Sequence, residues 1–170
     1  MSSGKIFIDG IPLNIKGEET ILRAMMDNNI DIPHVCYNPA LGAIESCDTC
    51  IVNADGKYVR ACTTPAKNNM KVLFNSPDVK VRETEAVNRI LHNHDLYCTV
   101  CENNNGDCAL HSAVDTLQVT RQKYPFTSKG YEADYSNPFY RYDPDQCILP
   151  LLRCSGYSSE TLSGGLYVNV

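Results

Sequence analysis

Two groups of metal-binding side chains dictate what this chain can fold into. Cys36, Cys47, Cys50 and Cys62 are spaced C-x10-C-x2-C-x11-C, and His94, Cys98, Cys101 and Cys108 are spaced H-x3-C-x2-C-x6-C. A C-x2-C turn can hold two thiolates on one metal centre, and the flanking ligands close over it if the chain returns. Binding such a centre is part of the folding energy, because thiolates are not organised in an unliganded chain. A disulfide scaffold is the competing explanation and fits poorly. The chain has nine cysteines, an odd number. Its N-terminus, Met1-Ser2-Ser3-Gly4-Lys5, lacks the apolar stretch of a signal peptide, so the expected compartment is the cytoplasm, where thiols stay reduced.

Composition narrows the function classes. The 170 residues suffice for one ordinary domain or two small ones, and 43% apolar content is enough for a core. A formal charge of −5 leaves no basic patch for phosphate, which argues against a nucleic-acid partner. No run approaches the roughly 18 apolar residues of a membrane span, so none is expected.

The patterning places the cysteines on a framework. Residues 5–9 and 11–16 flank Gly10 and read as a β-hairpin. Ile21, Leu22, Met25 and Met26 recur at helical spacing, which predicts a short amphipathic helix over 19–29, ended by Asn28 and Asn29. Residues 51–62 read as a second hairpin turning at Asp55-Gly56, and 70–74 as a closing strand. That order suits a small mixed sheet folded over one helix, with the cysteines in the loop after the helix. Ser76 as N-cap and Pro77 as first helical residue start a new segment. Val79, Arg82, Ala86, Val87, Ile90 and Leu91 give it an apolar stripe as far as about His92, and a further helix is expected over 109–117. Residues 121–143, with five tyrosines, two phenylalanines, Pro125, Pro138 and Gly130, have no period and read as an extended linker whose aromatics pack on something.

Spacing speaks to the metal only in part. Four thiolates suit a [2Fe–2S] or [4Fe–4S] centre, or a structural zinc. Zinc ribbons usually pair two C-x2-C knuckles, whereas the first group has one knuckle flanked by distant single cysteines. Plant-type ferredoxins share that asymmetry, with a shorter first gap. Iron–sulfur is favoured, with zinc and buried structural cysteines as the alternatives. Gly42 and Ala43, in the loop 37–46, are small enough to let backbone N–H groups approach bridging sulfides. In the second group one histidine and three cysteines also satisfy tetrahedral zinc; as an iron ligand the imidazole is unusual and raises the potential. The polar run 102–107 supplies a loop to turn around the centre. His92 is a credible decoy for His94, and His34 and His111 read as packing or surface residues.

The two motifs in this order resemble the N-terminal region of the large electron-transfer subunit of complex I, iron-only hydrogenases and NAD-linked formate dehydrogenase α subunits. The wording Ile32-Pro33-His34-Val35-Cys36-Tyr37, Ser46-Cys47-Asp48-Thr49-Cys50 and Leu96-Tyr97-Cys98-Thr99-Val100-Cys101 is similar to the formate dehydrogenase α subunits of Gram-positive bacteria. So is the stretch from Tyr140 to Leu149, Tyr-Arg-Tyr-Asp-Pro-Asp-Gln-Cys-Ile-Leu, and the resemblance covers residues 4–149. It implies an α+β fold with three parts: a β-grasp, 2Fe-2S ferredoxin-like domain over 1–75, a small helical cluster domain with one histidine and three cysteines as ligands over 76–120, and an irregular C-terminal tail over 121–170. It implies one [2Fe–2S] cluster on Cys36, Cys47, Cys50 and Cys62, and one [4Fe–4S] cluster on His94, Cys98, Cys101 and Cys108.

After Cys147-Ile148-Leu149 the family continues with C-x2-C-x2-C-x3-C, whereas this chain has Pro150, Arg153 and Tyr157 at the other positions. Cys147 and Cys154 are therefore expected to be non-ligands, and 121–170 reads as the aromatic linker and incomplete remnant of a ferredoxin domain. The tail 155–170 looks unrelated to the family, so a truncated or frameshifted gene product without the family's molybdopterin domain is expected. The expected function is an electron-transfer module relaying single electrons, with a ferredoxin-like centre near roughly −400 mV. Its expected partner is a redox protein or the missing catalytic part of the oxidoreductase. The alternatives are a redox-inert zinc-binding structural module and a non-functional truncated product.

Overall fold

A computed structural model of the chain describes residues 3–101, 108–139 and 143–148. The polar run 102–107, residues 140–142, Cys154 and the tail 155–170 lie outside the described residues.

The first hairpin forms as its alternation requires. Strands β1 (Ser3–Ile8) and β2 (Ile11–Lys16) pair antiparallel from Ser3↔Lys16 to Ile8↔Ile11. The two residues between them, Asp9 and Gly10, have φ of 46° and 84°, so the turn has the handedness that matches strand twist. The Asp9 carboxylate accepts the N–H groups of Phe74 and Asn75 at 3.1 and 3.2 Å, tying the chain that follows Leu73 to this turn.

Helix α1 (Ile21–Asp27) starts where Thr20 caps it, the Thr20 hydroxyl accepting the Arg23 N–H, and ends at Asn28. Ile21, Leu22, Ala24 and Met25 are fully buried on the sheet residues Ile6, Ile8, Val52 and Val72. A two-residue ladder, β3 (Tyr37–Asn38) with β4 (Gly42–Ala43), lies within the cysteine loop. Sequence periodicity cannot find strands of two residues; the signal was Gly42, whose φ of 78° admits the tight return. Strands β5 (Ile51–Ala54) and β6 (Lys57–Arg60) form the second hairpin around Asp55-Gly56, and β7 (Lys71–Leu73) closes the sheet. The order is β2-β1-β7-β5-β6, with β1 and β7 parallel and the other neighbours antiparallel, a mixed sheet with α1 across one face.

Helix α2 (Pro77–Leu91) begins at the Ser76 cap and stops at His92. Its buried face is Val79, Glu83, Ala86, Val87, Asn88, Ile90 and Leu91, which corrects the expected stripe by exchanging Arg82 for Glu83 and adding Asn88. Arg82 is exposed and lies over the Tyr58 ring at 3.8 Å, while Glu83 points inward. The helical period explains the exchange: Glu83 stands four residues from both Val79 and Val87, at the middle of the face, and Arg82 falls at its margin. Helix α3 (Ala109–Thr116) packs Leu110, Ala113 and Val114 against Val87, Ile90 and Leu91 of α2.

Residues 121–130 run without helix or strand over the end of α2. Gln122 Nε2 donates to the Leu91 carbonyl at 2.6 Å, and the Lys123 and Thr127 N–H groups donate to Asn88 Oδ1 and the His92 carbonyl, both at 2.8 Å. Of the aromatics here, Tyr124 packs edge-on to His92 and reaches the Glu85 carboxylate. The expectation that the others pack does not hold for Tyr131, Tyr135 and Phe139, which are 69%, 69% and 93% exposed. The architecture is α+β: a mixed five-stranded sheet folded over one helix, then a helical unit, then irregular chain.

Candidate metal centres

The first group of cysteines converges from three elements. Cys36 ends the loop after α1, Cys47 and Cys50 flank a turn before β5, and Cys62 follows β6. Their exposures are 1%, 4%, 1% and 4%, so four thiols occupy one dry pocket with no disulfide among them. They interact two by two. Cys47 hydrogen-bonds Cys36, which pushes the Cys36 thiol down to about 5 and the Cys47 thiol up, burial adding to the latter. Cys50 and Cys62 repeat the arrangement, Cys62 lowered and Cys50 raised by their shared hydrogen bond. Thiolate ligation of a metal would release the protons these buried thiols hold. Among the described residues no group of three or more His, Cys, Asp or Glu side chains is gathered as for a single ion. A pairwise array is what a binuclear rhomb needs, two thiolates to each iron.

Thr49 is the polar support of this pocket, and sequence reading passed over it. It is fully buried, its Oγ1 accepting the Val35 N–H at 3.0 Å and lying 3.0 Å from Cys47 Sγ. The hydroxyl keeps a second lone pair, so either partner can donate between Thr49 and a Cys47 thiol, whereas toward a Cys47 thiolate only the hydroxyl can donate. The Thr49 N–H also points at Cys47 Sγ, at 3.4 Å. Both contacts favour negative charge on the sulfur. Gly42 and Ala43 lie in the small β3–β4 ladder beside this loop.

The second group also converges. His94, Cys98 and Cys101, with Cys108 from the start of α3, line one small cavity together with His111. A 3₁₀ turn at Cys98–Val100 carries the first two cysteines, and its end is closed by the Cys101 N–H bonding to the Cys98 carbonyl at 3.4 Å. Cys108 caps α3, its sulfur accepting the His111 N–H at 3.4 Å. Burial, and then the charges of Cys108 and Cys101, raise the Cys98 thiol. The His94 ring stacks on Tyr97, 6.5 Å between centroids, which fixes its direction. His92 is set apart from the cavity, its Nδ1 being 3.0 Å from the Pro125 carbonyl oxygen. His34 is half-buried, with Nδ1 2.7 Å from the Ile32 carbonyl oxygen. His111, read from the sequence as a packing or surface residue, instead faces the cysteines; the missed signal is its place three residues after Cys108, one helical turn into α3. Cys147 does not line this cavity. Soft thiolates with an imidazole suit iron–sulfur or zinc, so the donor chemistry fits the group that the sequence implies.

Residues 4–77 match the family described as "2Fe-2S iron-sulfur cluster binding domain", and residues 84–123 match the "NADH-ubiquinone oxidoreductase-G iron-sulfur binding region". Among curated proteins, "Probable oxidoreductase YjgC" of Bacillus subtilis is 46% identical over 144 residues, covering 85% of this chain. "Putative formate dehydrogenase YrhE" of the same organism is 45% identical over 151 residues, covering 87% of the chain. The chain spans 15% of the length of each. Among solved structures, an NAD+-reducing [NiFe]-hydrogenase in the H2-reduced state aligns with a TM-score of 0.82 at 25% identity, over 93% of this chain and 67% of its own. These matches bear out one 2Fe-2S and one 4Fe-4S binding region in a chain similar to formate dehydrogenases and NADH-dehydrogenase-type subunits.

Proposed function

We propose that this chain, in which residues 4–77 match a 2Fe-2S cluster binding domain and residues 84–123 an NADH-ubiquinone oxidoreductase-G iron–sulfur binding region, relays single electrons between two iron–sulfur centres and a partner oxidoreductase. Cys36, Cys47, Cys50 and Cys62 hold the [2Fe–2S] cluster in the two pairs that their thiols form, and His94, Cys98, Cys101 and Cys108 hold the [4Fe–4S] cluster. When bound, such clusters accept and return one electron without breaking bonds. The residues of this chain do the rest: they keep water from the sulfurs, aim the Thr49 hydroxyl and backbone N–H groups at a cysteine ligand, and fix the imidazole of His94. Through these contacts the protein sets the potentials.

The observation that carries this reading is the burial of four thiols, paired two by two, inside a domain of the 2Fe-2S family. The partner is a redox protein or the catalytic part of a formate dehydrogenase-type oxidoreductase, and the compartment is the reducing cytoplasm. No helix among the described residues is long and apolar enough to cross a membrane. An EPR-monitored redox titration of the reconstituted protein tests the function: two centres, each reduced by one electron and reoxidised reversibly, are expected. A protein that binds metal but shows no reversible reduction contradicts it.

A further inference from the structure

We propose that Arg89, acting through Asp48, is a positioning residue by which helix α2 sets the reduction potential of the first centre. The proposal rests on the reading of Cys36, Cys47, Cys50 and Cys62 as ligands of a binuclear cluster. Asp48 stands between Cys47 and Thr49 in the cysteine turn, with a φ of 57°, a left-handed conformation that a residue with a side chain adopts at a cost. Its carboxylate is engaged at both oxygens. Arg60 Nε donates to Oδ1 at 2.6 Å, and an Arg89 terminal nitrogen donates to Oδ2 at 3.2 Å.

The two arginines come from different parts of the molecule. Arg60 ends β6 two residues before Cys62, whereas Arg89 lies on α2 between the buried Val87 and Leu91, which share a core with Cys36 and Cys47. The turn that carries two ligands is therefore fastened to the sheet on one side and to the helical unit on the other. The Asp48 carboxylate sits between two guanidinium groups, with Glu45 acting on Arg60 and Glu85 on Arg89, so Arg89 is one positive charge in a mixed set beside the turn. Reduction adds a negative charge to a cluster, so the Arg89 guanidinium favours the reduced form and the Asp48 carboxylate opposes it. The Arg89 side chain is 54% exposed, and an ion pair so open to water adds little to folding stability. Its place on the cysteine turn makes sense as charge and orientation delivered to the cluster.

The test uses the full chain, reconstituted anaerobically with iron and sulfide, and reads the midpoint potential of the binuclear centre by EPR-monitored titration. Arg89→Met is expected to lower the midpoint, by several-fold in the reduction equilibrium, and Asp48→Asn to raise it, with Arg89→Lys close to the unmodified protein. Opposite signs are the signature of charge, because a merely loosened turn moves the midpoint the same way in both variants. An unchanged midpoint in Arg89→Met, or shifts of one sign in both variants, overturns the role of Arg89 while leaving the cluster assignment standing. A lack of any binuclear signal in the unmodified protein overturns the cluster assignment and this proposal with it.

Discussion

Glu83 shows how much a single side chain can cost this fold. It is fully buried on the inner face of α2, its Oε2 accepting from Lys80 Nζ at 3.1 Å, while Oε1 has no hydrogen-bond partner among the described residues. Burial raises its carboxyl from 4.5 to about 7, against the pull of Lys80. Through that window the folded chain keeps a proton that the unfolded chain has already released, so stability falls as pH rises from 4.5 to about 7. Each pH unit of that difference is worth at most about 1.4 kcal/mol. Glu83→Gln is expected to flatten the slope and to leave the protein more stable than the unmodified chain at about pH 8. Thermal unfolding of both proteins across the window checks this, and parallel profiles contradict it. The sequence reading placed Arg82 rather than Glu83 on the inner face, since position 82, three residues after Val79 and four before Ala86, also fits the helical spacing. Thr49 was passed over for a related reason: spacing identifies ligands, but only coordinates reveal which neighbour points a hydroxyl at them.

At the scale of elements, α2 is the piece on which both sites depend. It starts at a serine cap followed by proline, and its apolar face packs on Cys36 and Cys47 at one level and on α3 at the next. Ser76 Oγ accepts the Val79 N–H at 3.4 Å. Ser76→Ala is expected to destabilise the protein by about 1 kcal/mol, read as a lower midpoint in denaturant; an unchanged midpoint means that packing alone holds the helix start. Both hairpins, α1, α2, α3 and the closing strand were legible, because period-2 alternation, 3.6-residue spacing, Asp-Gly and Ser-Pro are local signals. The β3–β4 ladder was not, since two residues carry no period. Nor was the path of residues 121–130, which is set by Gln122, Lys123 and Thr127 bonding to groups on or just after α2 that lie about 30 residues back in the chain. Composition correctly denied that segment regular structure but overstated its burial, as Phe139 at 93% exposure shows.

For the molecule as a whole, the spacing pointed to two groups of side chains that do converge, but not to the partition of the first between two cores. Cys50 and Cys62 belong to the core of the sheet, with Ile6, Leu22 and Val52. Cys36 and Cys47 belong to the core of α2 and α3, against which Cys108 also packs. The first site thus straddles the two halves of the chain, which a boundary drawn at residue 75 from sequence does not convey. A difference between two like substitutions follows. Cys47→Ser and Cys62→Ser should each lose the first cluster, but Cys47→Ser alone should weaken retention of the second, because only Cys47 lies in the shared helical core. Iron content and the EPR signal of the second centre in the two variants check this, and equal retention contradicts it. Anaerobic reconstitution, followed by counting of iron and labile sulfide with low-temperature EPR of the reduced protein, shows whether the chain holds one binuclear and one tetranuclear cluster. About six irons and about six sulfides per chain, with two distinct signals, are expected. Zinc in place of iron, without labile sulfide or signal, would contradict this and make the chain a structural module.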